Sequence, residues 1–388
     1  MTIIQVNCGS DAGVRDPDAL LGRYTTLTGW SEALVEAGAR VRVVQRFRHE
    51  TTIVRNGVHY VFCPRGRTRA NVLRSTADLV HVNGLVFSTC AWWLRRALPE
   101  RTAIVMQDHG TTVRPPADIV RRMSRRLRRL ELRAADAFLF VSADQAIPWR
   151  AAGLIAAGQP VYEVMEAGTA VRPLPRAVAR AASGVDGDPA VLWVGRLNEN
   201  KDPLTVLSGF ERALGDVPGA VLSMVYAEDD LLPLVRERLD QSPALSARVR
   251  LVGAIPHRDI AAYLSAADLF VCGSHHEGSG YALIEACACG AVPVVTDIPS
   301  FRAITNHGAF GALWTPGSAS GFARALVDVW RRDRSALRSR AVEHAARRLS
   351  WPAVGRRAMA VYSDIVARRR AGSEFEQPPL AAATGGSA

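Results

Sequence analysis

The 388-residue sequence predicts an α/β protein made of two doubly wound parallel sheets. Three observations lead to this prediction. Short, nearly uniform apolar runs alternate with helical patterns along most of the chain, the pattern is present in both halves, and a segment with neither period separates the halves. Apolar strands that alternate with helices are typical of parallel sheets covered on both faces. At ~100–200 residues per domain, the length fits two such units.

In the first half, apolar runs predict strands at 3–8, 40–47, 79–83, 103–107, 137–142 and 161–165. Apolar residues at helical spacing predict connecting helices that include 26–37, 86–97 and 117–134. The second half repeats the scheme, with strands at 191–195, 221–226, 250–252, 269–272 and 292–296. Its connecting helices are predicted at 203–214, 230–240, 258–266 and 280–289.

The domain boundaries follow from this pattern. Residues 1–171 form the predicted N-terminal domain, and 189–350 form the C-terminal one. Between them, 172–188 is rich in Pro, Ala, Gly and Arg and is predicted to be a linker. A last helix is predicted at 351–370, and the small and polar residues of 371–388 predict a disordered tail.

The composition narrows the function classes. Apolar residues make up 48% and charged residues 22% of the chain, as in an ordinary globular protein. No apolar run reaches the ~18 residues of a membrane span, and the N-terminus lacks the basic start of a signal peptide. Six dispersed cysteines without a C-x-x-C pair predict reduced, buried thiols. We therefore expect a cytoplasmic protein.

The positive charge is carried almost entirely by arginine. The net charge is +11, and of 48 basic residues only Lys201 is a lysine. Such a bias suggests that arginine replaces lysine wherever the exchange is harmless. A tight anion pocket distinguishes a compact ammonium from a planar guanidinium. Lys201 is therefore a candidate anion ligand.

Two loops in the second half follow predicted strands, at the edge where doubly wound sheets bind ligands. The first reads GRLNENKDP and carries Arg196 and Lys201 next to a helix that starts with proline. Two cations beside a helix N-terminus predict a diphosphate site, although a solvated loop with incidental charges is the common alternative.

The second loop reads EGSGYALIEACACG and starts at Glu277. Gly278, Ser279 and Gly280 precede a helix whose backbone N–H groups could hold an anion. Glu285 lies inside that helix among apolar residues, and an ionised carboxylate suits two vicinal ribose hydroxyls. A structural ion pair of Glu285 is the alternative. Each motif alone is weak, and the two together are specific.

These two motifs resemble the retaining glycosyltransferases of family 4, which have the GT-B fold. The E-x7-E pattern is met by Glu277 and Glu285, and the basic pair by Arg196 and Lys201. The resemblance implies two Rossmann-like domains that face each other across a cleft, with the last helix returning to the N-terminal domain. It also implies metal-independent transfer of a sugar from a nucleotide diphosphate donor. No cofactor and no metal ligands are expected.

The resemblance also implies roles for individual residues. Arg196 and Lys201 would bind the donor diphosphate, amides around Gly278–Gly280 would hold phosphate, and Glu277 would lie near the transferred sugar. Glu285 would bind the ribose, and the 253–256 loop would border the base. In the N-terminal domain, His109 in the loop after a strand corresponds to a histidine beside the donor sugar.

The sequence indicates the acceptor contacts less clearly than the donor contacts. A Glu-Ala-Gly triplet at 166–168 replaces the family's Pro-Asn-Gly, and the hydroxyl acceptor could be a small metabolite, a lipid or a glycan. The arginine-rich 121–133 helix, with Met123, Leu127 and Leu130 near one face, is either a solvated helix or a weak contact with an anionic membrane surface.

Other function classes are still open at this stage. A nucleotide-sugar epimerase or a phosphorylase could use the same fold, and sugar transfer to an added hydroxyl acceptor would separate them. No G-x-G-x-x-G follows the first strand, which disfavours a dinucleotide-dependent oxidoreductase. A nucleic-acid binder would need a positive face with stacking aromatics, and aromatics make up only 7%. We therefore expect no nucleic-acid partner.

Overall fold

Two separate sheets organise the chain in a computed structural model that describes residues 1–111, 113 and 119–375. The strands of the N-terminal sheet are β1 (Thr2–Asn7), β2 (Arg40–Arg46), β3 (Thr51–Arg55), β4 (Val58–Cys63), β5 (Leu79–Asn83), β6 (Ala103–Gln107), β7 (Ala137–Phe140) and β8 (Val161–Glu163). Their order is β3-β4-β2-β1-β5-β6-β7-β8, and every neighbouring pair is parallel except β3 and β4.

Helices cover both faces of this sheet, namely α1 (Pro17–Arg23), α2 (Thr25–Glu36), α3 (Thr68–Leu73), α4 (Ser88–Arg95), α5 (Ile119–Leu132) and α6 (Ile147–Ala151). Neighbouring residues of β1 point into opposite layers, since Ile3 packs in the core with Trp30 of α2 and Ile4 packs in the core with Leu94 of α4. Both layers exclude water, so the central strands are mostly apolar on both faces.

The C-terminal domain repeats the design with α7 (Arg176–Ser183), β9 (Ala190–Gly195), α8 (Pro203–Ala213), β10 (Val221–Tyr226), α9 (Leu232–Asp240), α10 (Pro243–Arg248), β11 (Val249–Gly253), α11 (Ile260–Ala266), β12 (Leu269–Cys272), α12 (Tyr281–Cys289), β13 (Val292–Thr296), α13 (Pro299–Ile304), β14 (Ala312–Trp314), α14 (Ala319–Arg331) and α15 (Arg334–His344). The sheet order is β11-β10-β9-β12-β13-β14, all parallel.

The last helix, α16 (Trp351–Phe375), returns to the N-terminal domain as expected. The Trp351 ring lies so close to α2 that a Cβ at Gly29 would come within 2.2 Å of it. Farther along, the Tyr362 hydroxyl and His81 Nδ1 are 2.7 Å apart in the buried interior. The returning helix therefore packs against the N-terminal sheet.

The helix also runs beyond its predicted end at 370, because no proline follows until Pro378 and Gly372 alone does not stop it. The predicted tail 371–388 thus begins with five helical residues, 371–375, and its remainder lies outside the described residues.

The predicted linker 172–188 contains a helix, α7, that packs on the C-terminal domain. Ala179 of this helix is buried together with Ala190 and Ala266, and Arg180 lies 3.4 Å from Asp268. Eight residues with one buried alanine show no periodic apolar pattern, which is why the sequence suggested a linker.

The described structure adds three strands to those predicted. β3 is a half-exposed edge strand, β4 contains the exposed His59, and β14 has only three residues. β3 and β14 are edge strands with one open side, and β14 is also too short to show a period. In β4, which is paired on both sides, the exposed His59 interrupts an otherwise buried apolar run.

Candidate functional site

The two polar loops of the C-terminal half meet at the carboxyl edge of the sheet. They follow β9 and β12, which are neighbouring strands. Asn200 Nδ2 donates a hydrogen bond to the His276 carbonyl at 3.0 Å, and the His276 N–H donates to Asn200 Oδ1 at 3.1 Å. Gly273 permits the close approach, since a Cβ there would lie 3.0 Å from the Asp202 carbonyl oxygen. The two motifs therefore form one surface.

Lys201 forms an ion pair with Glu277 across these loops. Each side chain is 14% exposed, and Ser274 Oγ donates a further hydrogen bond to Glu277 Oε1 at 2.6 Å. Burial by itself would lower the pKa of Lys201, but Cys272 and the Glu277 carboxylate outweigh it and raise that pKa above its ordinary value. Lys201 thus carries a full positive charge at neutral pH.

Arg196 stands at the open side of the same surface. Its guanidinium lies 3.6 Å from Glu228, and both side chains are more than half exposed. The charge of Arg196 acts on Lys201, whose pKa it lowers slightly against the effect of Glu277. An anion between the two cations would relieve their mutual repulsion.

The turn at Gly278, Ser279 and Gly280 ends at the N-terminus of α12. Gly280 has a φ of 63° and is the N-cap residue, and no side chain caps this helix. A Cβ at Gly280 would also come within 2.7 Å of the Phe301 ring. Helix α12 thus presents uncapped backbone N–H groups toward the crevice, where the helix dipole favours an anion.

Glu285, one turn into α12, is 8% exposed. Its Oε1 lies 2.9 Å from Nε2 of His257, which is 73% exposed and follows the 253–256 loop. Burial raises the pKa of Glu285, and His257 partly offsets this. The carboxylate is therefore paired with the residue that follows the 253–256 loop, which the family resemblance implies would border the base. The sequence analysis did not single out His257.

His109, in the N-terminal domain, comes to the opposite wall of the same crevice. The Gly110 that follows it touches the Gly278 backbone so closely that a Cβ would lie 2.7 Å from the Gly278 Cα. The His276 imidazole also reaches the Gly110 carbonyl, at 2.8 Å. The two domains therefore meet in a closed arrangement at the glycine turn.

His109 Nδ1 lies 2.7 Å from Oε1 of Glu166, which the sequence analysis noted only as a departure from the family pattern. Burial opposes the charge of His109, but the hydrogen bond and charge of Glu166 more than compensate and raise its pKa. The residues of this pair are 57 positions apart, so no sequence spacing indicates it.

A cavity of about 290 Å³ opens beside this pair, at the carboxyl edge of the N-terminal sheet. His109 and Glu166 line one side, and Trp30 and Leu27 of α2 line another. Several of its remaining lining residues are carboxamides. The crevice thus has a charged half in the C-terminal domain and a polar pocket in the N-terminal domain.

Two further properties concern the described residues only. No group of three or more His, Cys, Asp or Glu side chains there is arranged to hold a metal ion. None of the described helices has the length and hydropathy needed to cross a bilayer.

Comparison with known proteins shows what this chain is similar to. Residues 176–348 match the family model described as glycosyl transferases group 1. D-inositol 3-phosphate glycosyltransferase from Thermobispora bispora is 30% identical over 207 residues, which cover 51% of this chain and 48% of that protein. Phosphatidyl-myo-inositol mannosyltransferase from Mycobacterium leprae is 31% identical over 186 residues, covering 45% and 46%. The chain thus spans about half the length of the curated relatives it matches.

The whole fold also has a solved counterpart. The Anabaena protein HepE in complex with UDP-glucose superposes with a TM-score of 0.65 at 18% identity, over 94% of this chain and 100% of that one. This likeness covers both domains and confirms the expected two-domain architecture. Residues 176–348 of this chain are therefore similar to the glycosyl transferases group 1 family, within a chain that has the GT-B fold.

Proposed function

We propose that this protein transfers a sugar from a nucleotide diphosphate-sugar to a hydroxyl acceptor with retention of anomeric configuration. The observation that carries the proposal is the convergence of Lys201, Arg196 and the uncapped N-terminus of α12 on one crevice, opposite His109. Three sources of positive potential in one place suit the diphosphate of an activated sugar.

The donor would lie along the carboxyl edge of the C-terminal sheet. Its ribose would bind Glu285, next to the 253–256 loop, and its diphosphate would lie between Lys201 and the turn at Gly278–Gly280. Glu277 would face the transferred sugar. In the free protein Glu277 holds Lys201 as an ion pair, so the donor phosphate would exchange with this carboxylate as the partner of Lys201.

The reaction would proceed on one face of the sugar. The bond between the anomeric carbon and the diphosphate oxygen breaks while the acceptor oxygen bonds to the same face of that carbon. The acceptor proton passes to the departing phosphate oxygen. Negative charge grows on the diphosphate in the transition state, where Lys201, Arg196 and the helix N-terminus stabilise it.

Contact between the two domains would exclude water from this step. Gly110 and Gly278 are in backbone contact, and Gln145 Nε2 donates to the carbonyl oxygens of Glu277 and Gly278 at 3.2 and 3.3 Å. Bulk water in the site would hydrolyse the activated donor. An open form that admits the donor and a closed form that reacts would satisfy both needs.

A panel of nucleotide diphosphate-sugars that differ in base and sugar tests the proposal. We expect one member to raise the melting temperature and to be hydrolysed slowly without any acceptor, with release of the nucleoside diphosphate. If no member binds, the proposal fails. Product analysis separates the alternatives, since an epimerase returns an altered sugar still on its nucleotide and a phosphorylase needs inorganic phosphate.

The same chain offers a surface for an anionic membrane, which we propose as a second partner. On α5, Met123, Leu127 and Leu130 follow each other at helical spacing and are 66%, 57% and 55% exposed. Leu132, on the opposite face of the helix, is buried in the core of the N-terminal domain, and the neighbouring Glu131 accepts hydrogen bonds from Ser88 and Thr89. Exposed arginines flank the apolar stripe, and this combination favours anionic lipid.

Vesicle binding tests this partner. We expect co-sedimentation with phosphatidylglycerol-containing vesicles, weak binding to phosphatidylcholine alone, and loss of binding in Leu127→Ser/Leu130→Ser. Exchange of the exposed Leu234 for serine in the C-terminal domain is the matched control. Equal binding of the double variant would exclude α5 as the contact.

A further inference from the structure

A row of carboxamides crosses the N-terminal sheet at its carboxyl edge. Asn7 pairs in register with Gln45 on one side and Asn83 on the other, and Asn83 pairs with Gln107. Neighbours in register on parallel strands point to the same side of the sheet. All four residues, which we call the carboxamide row, line the 290 Å³ cavity beside His109.

Besides Trp30 Nε1, two buried polar atoms on residues that line this cavity have no hydrogen-bond partner among the described residues. Gln107 is 2% exposed and its Nε2 makes no hydrogen bond, and Glu166 is 9% exposed and its Oε2 makes none either. Buried polar atoms without partners are costly. One of these atoms is a donor and the other an acceptor, and both belong to residues that line the cavity. A ligand would have to offer an acceptor to the first and a donor to the second.

A hydroxyl group meets both demands because it donates and accepts. Within the carboxamide row, Asn83 Nδ2 donates a hydrogen bond to Asn7 Oδ1, so this donor and this acceptor are already paired. A phosphate dianion only accepts hydrogen bonds, and it would face the Glu166 carboxylate unfavourably.

The charges around the cavity also disfavour a phosphate. No arginine or lysine lines it among the residues that the structure describes, whereas Asp11 and Glu166 do. Tyr24 Oη and the Gly13 N–H donate to Asp11 and hold its pKa below the ordinary value, so it is ionised at neutral pH. The Arg23 guanidinium reaches Asp11 at 3.6 Å from the solvent side and does not line the cavity.

The cavity wall formed by α1, α2 and the segment after β5 is apolar. Leu20, Leu27 and Trp30 lie on one part of it and Phe87 on another. A saturated ring with hydroxyl groups has apolar C–H faces and a polar rim, which matches an apolar wall beside a row of amides.

We propose that this cavity binds the acceptor and that the ring it holds is a polyol without a phosphate group. The proposal rests on the proposed function, because it names the acceptor of that reaction. The carboxamide row would bind the ring hydroxyls, and the ring would lie beside His109, next to the glycine turn of the donor side.

The test compares each ring with its own monophosphate as acceptor, in the presence of the donor found by the panel. The pairs are myo-inositol with inositol 3-phosphate and D-glucose with glucose 6-phosphate. We expect the unphosphorylated member of at least one pair to be glycosylated, with a kcat/KM at least ten times that of its phosphate. Gln107→Leu should lower this kcat/KM at least tenfold, because leucine cannot donate to the ring, whereas the exposed Gln241→Leu should stay within twofold.

The outcomes separate the two proposals. If no nucleotide sugar binds or is hydrolysed, the proposed function itself fails. If the donor is hydrolysed but the phosphorylated rings are the better acceptors, or no unphosphorylated ring is glycosylated, the proposed function stands and the acceptor class is wrong. An unchanged kcat/KM in Gln107→Leu would also overturn the assignment of the cavity.

Discussion

The two domains share one architecture but differ in what their sheets carry at the carboxyl edge. In the C-terminal domain this edge carries Arg196, Lys201 and a helix N-terminus without a side-chain cap. In the N-terminal domain it carries the carboxamide row and two carboxylates. A doubly wound sheet provides a place for a ligand at this edge. The side chains at the strand ends decide which ligand fits there, and we propose an anion in one domain and a neutral polyol in the other.

The protein's net charge of +11 gives no hint of this difference. The arginines are spread over many surfaces, including α5 and α16. The acceptor cavity has no arginine or lysine among its described lining residues. Local charge at a strand end therefore predicts a ligand better than the total charge of the chain does.

The largest effect is expected from removal of Lys201, whose charge distinguishes the carboxyl edge of the C-terminal sheet from that of the N-terminal sheet. Lys201→Ala should reduce sugar transfer by about 100- to 1000-fold, the usual cost of losing one group that stabilises transition-state charge. Steady-state kinetics with the identified donor measures it. Arg212→Ala, an exposed arginine on α8, is the matched control and should keep near-normal activity. A folded Lys201→Ala protein with normal turnover would contradict the diphosphate role.

A smaller effect is expected from the ribose carboxylate. Glu285→Gln should raise the dissociation constant of the donor by about 10- to 150-fold, since a hydrogen bond to a charged group contributes roughly 1.5–3 kcal/mol. Calorimetric titration of the donor measures it, with the exposed Glu237→Gln as control. Unchanged donor affinity would remove Glu285 from the donor site.

The smallest effect is expected from Glu166, which pairs with His109 where the two domains meet. Glu166→Gln should lower kcat/KM by about five-fold, near the ~1 kcal/mol of one hydrogen bond. It should also lower the pKa of His109, which Glu166 now raises, and NMR titration of the imidazole measures this. A His109 pKa that does not move would show that the ion pair is absent in solution.

The pair of His109 and Glu166 also determines how the stability of the fold depends on pH. The folded-state pKa of His109 is raised, so the pair stabilises the fold fully below the unfolded-state value of ~6.5. This contribution is lost as the pH rises through the raised value. The difference in melting temperature between wild type and Glu166→Gln should therefore be largest on the acidic side and shrink toward alkaline pH.

The sequence alone could suggest the proposed donor site because its residues are close together in the chain. Arg196 and Lys201 lie in one loop, and Glu277 through Glu285 in another, each after a strand that the apolar pattern already predicts. Two short segments on neighbouring strands are enough to define the site. The pairing of Lys201 with Glu277 and that of Glu285 with His257 needed the structure.

The acceptor side could not be predicted in the same way. The carboxamide row combines residues from four strands, and each of them alone is an ordinary polar residue at a strand end. A signal was present in the sequence. Asn83 and Gln107 are the last residues of predicted strands, and Asn7 is the next-to-last residue of another. Its meaning depends on strand order and register, which apolar periodicity does not specify.

The sequence by itself determined the fold class, the doubling of the domain and the position of the charged loops. These features depend on local periodicity and on contiguous motifs. Only the tertiary structure decided that His109 pairs with Glu166, that α7 belongs to the C-terminal domain, and that four amides share one wall of a cavity. Such contacts join residues far apart in the chain, and their geometry is set by how strands are ordered and helices packed rather than by any local preference.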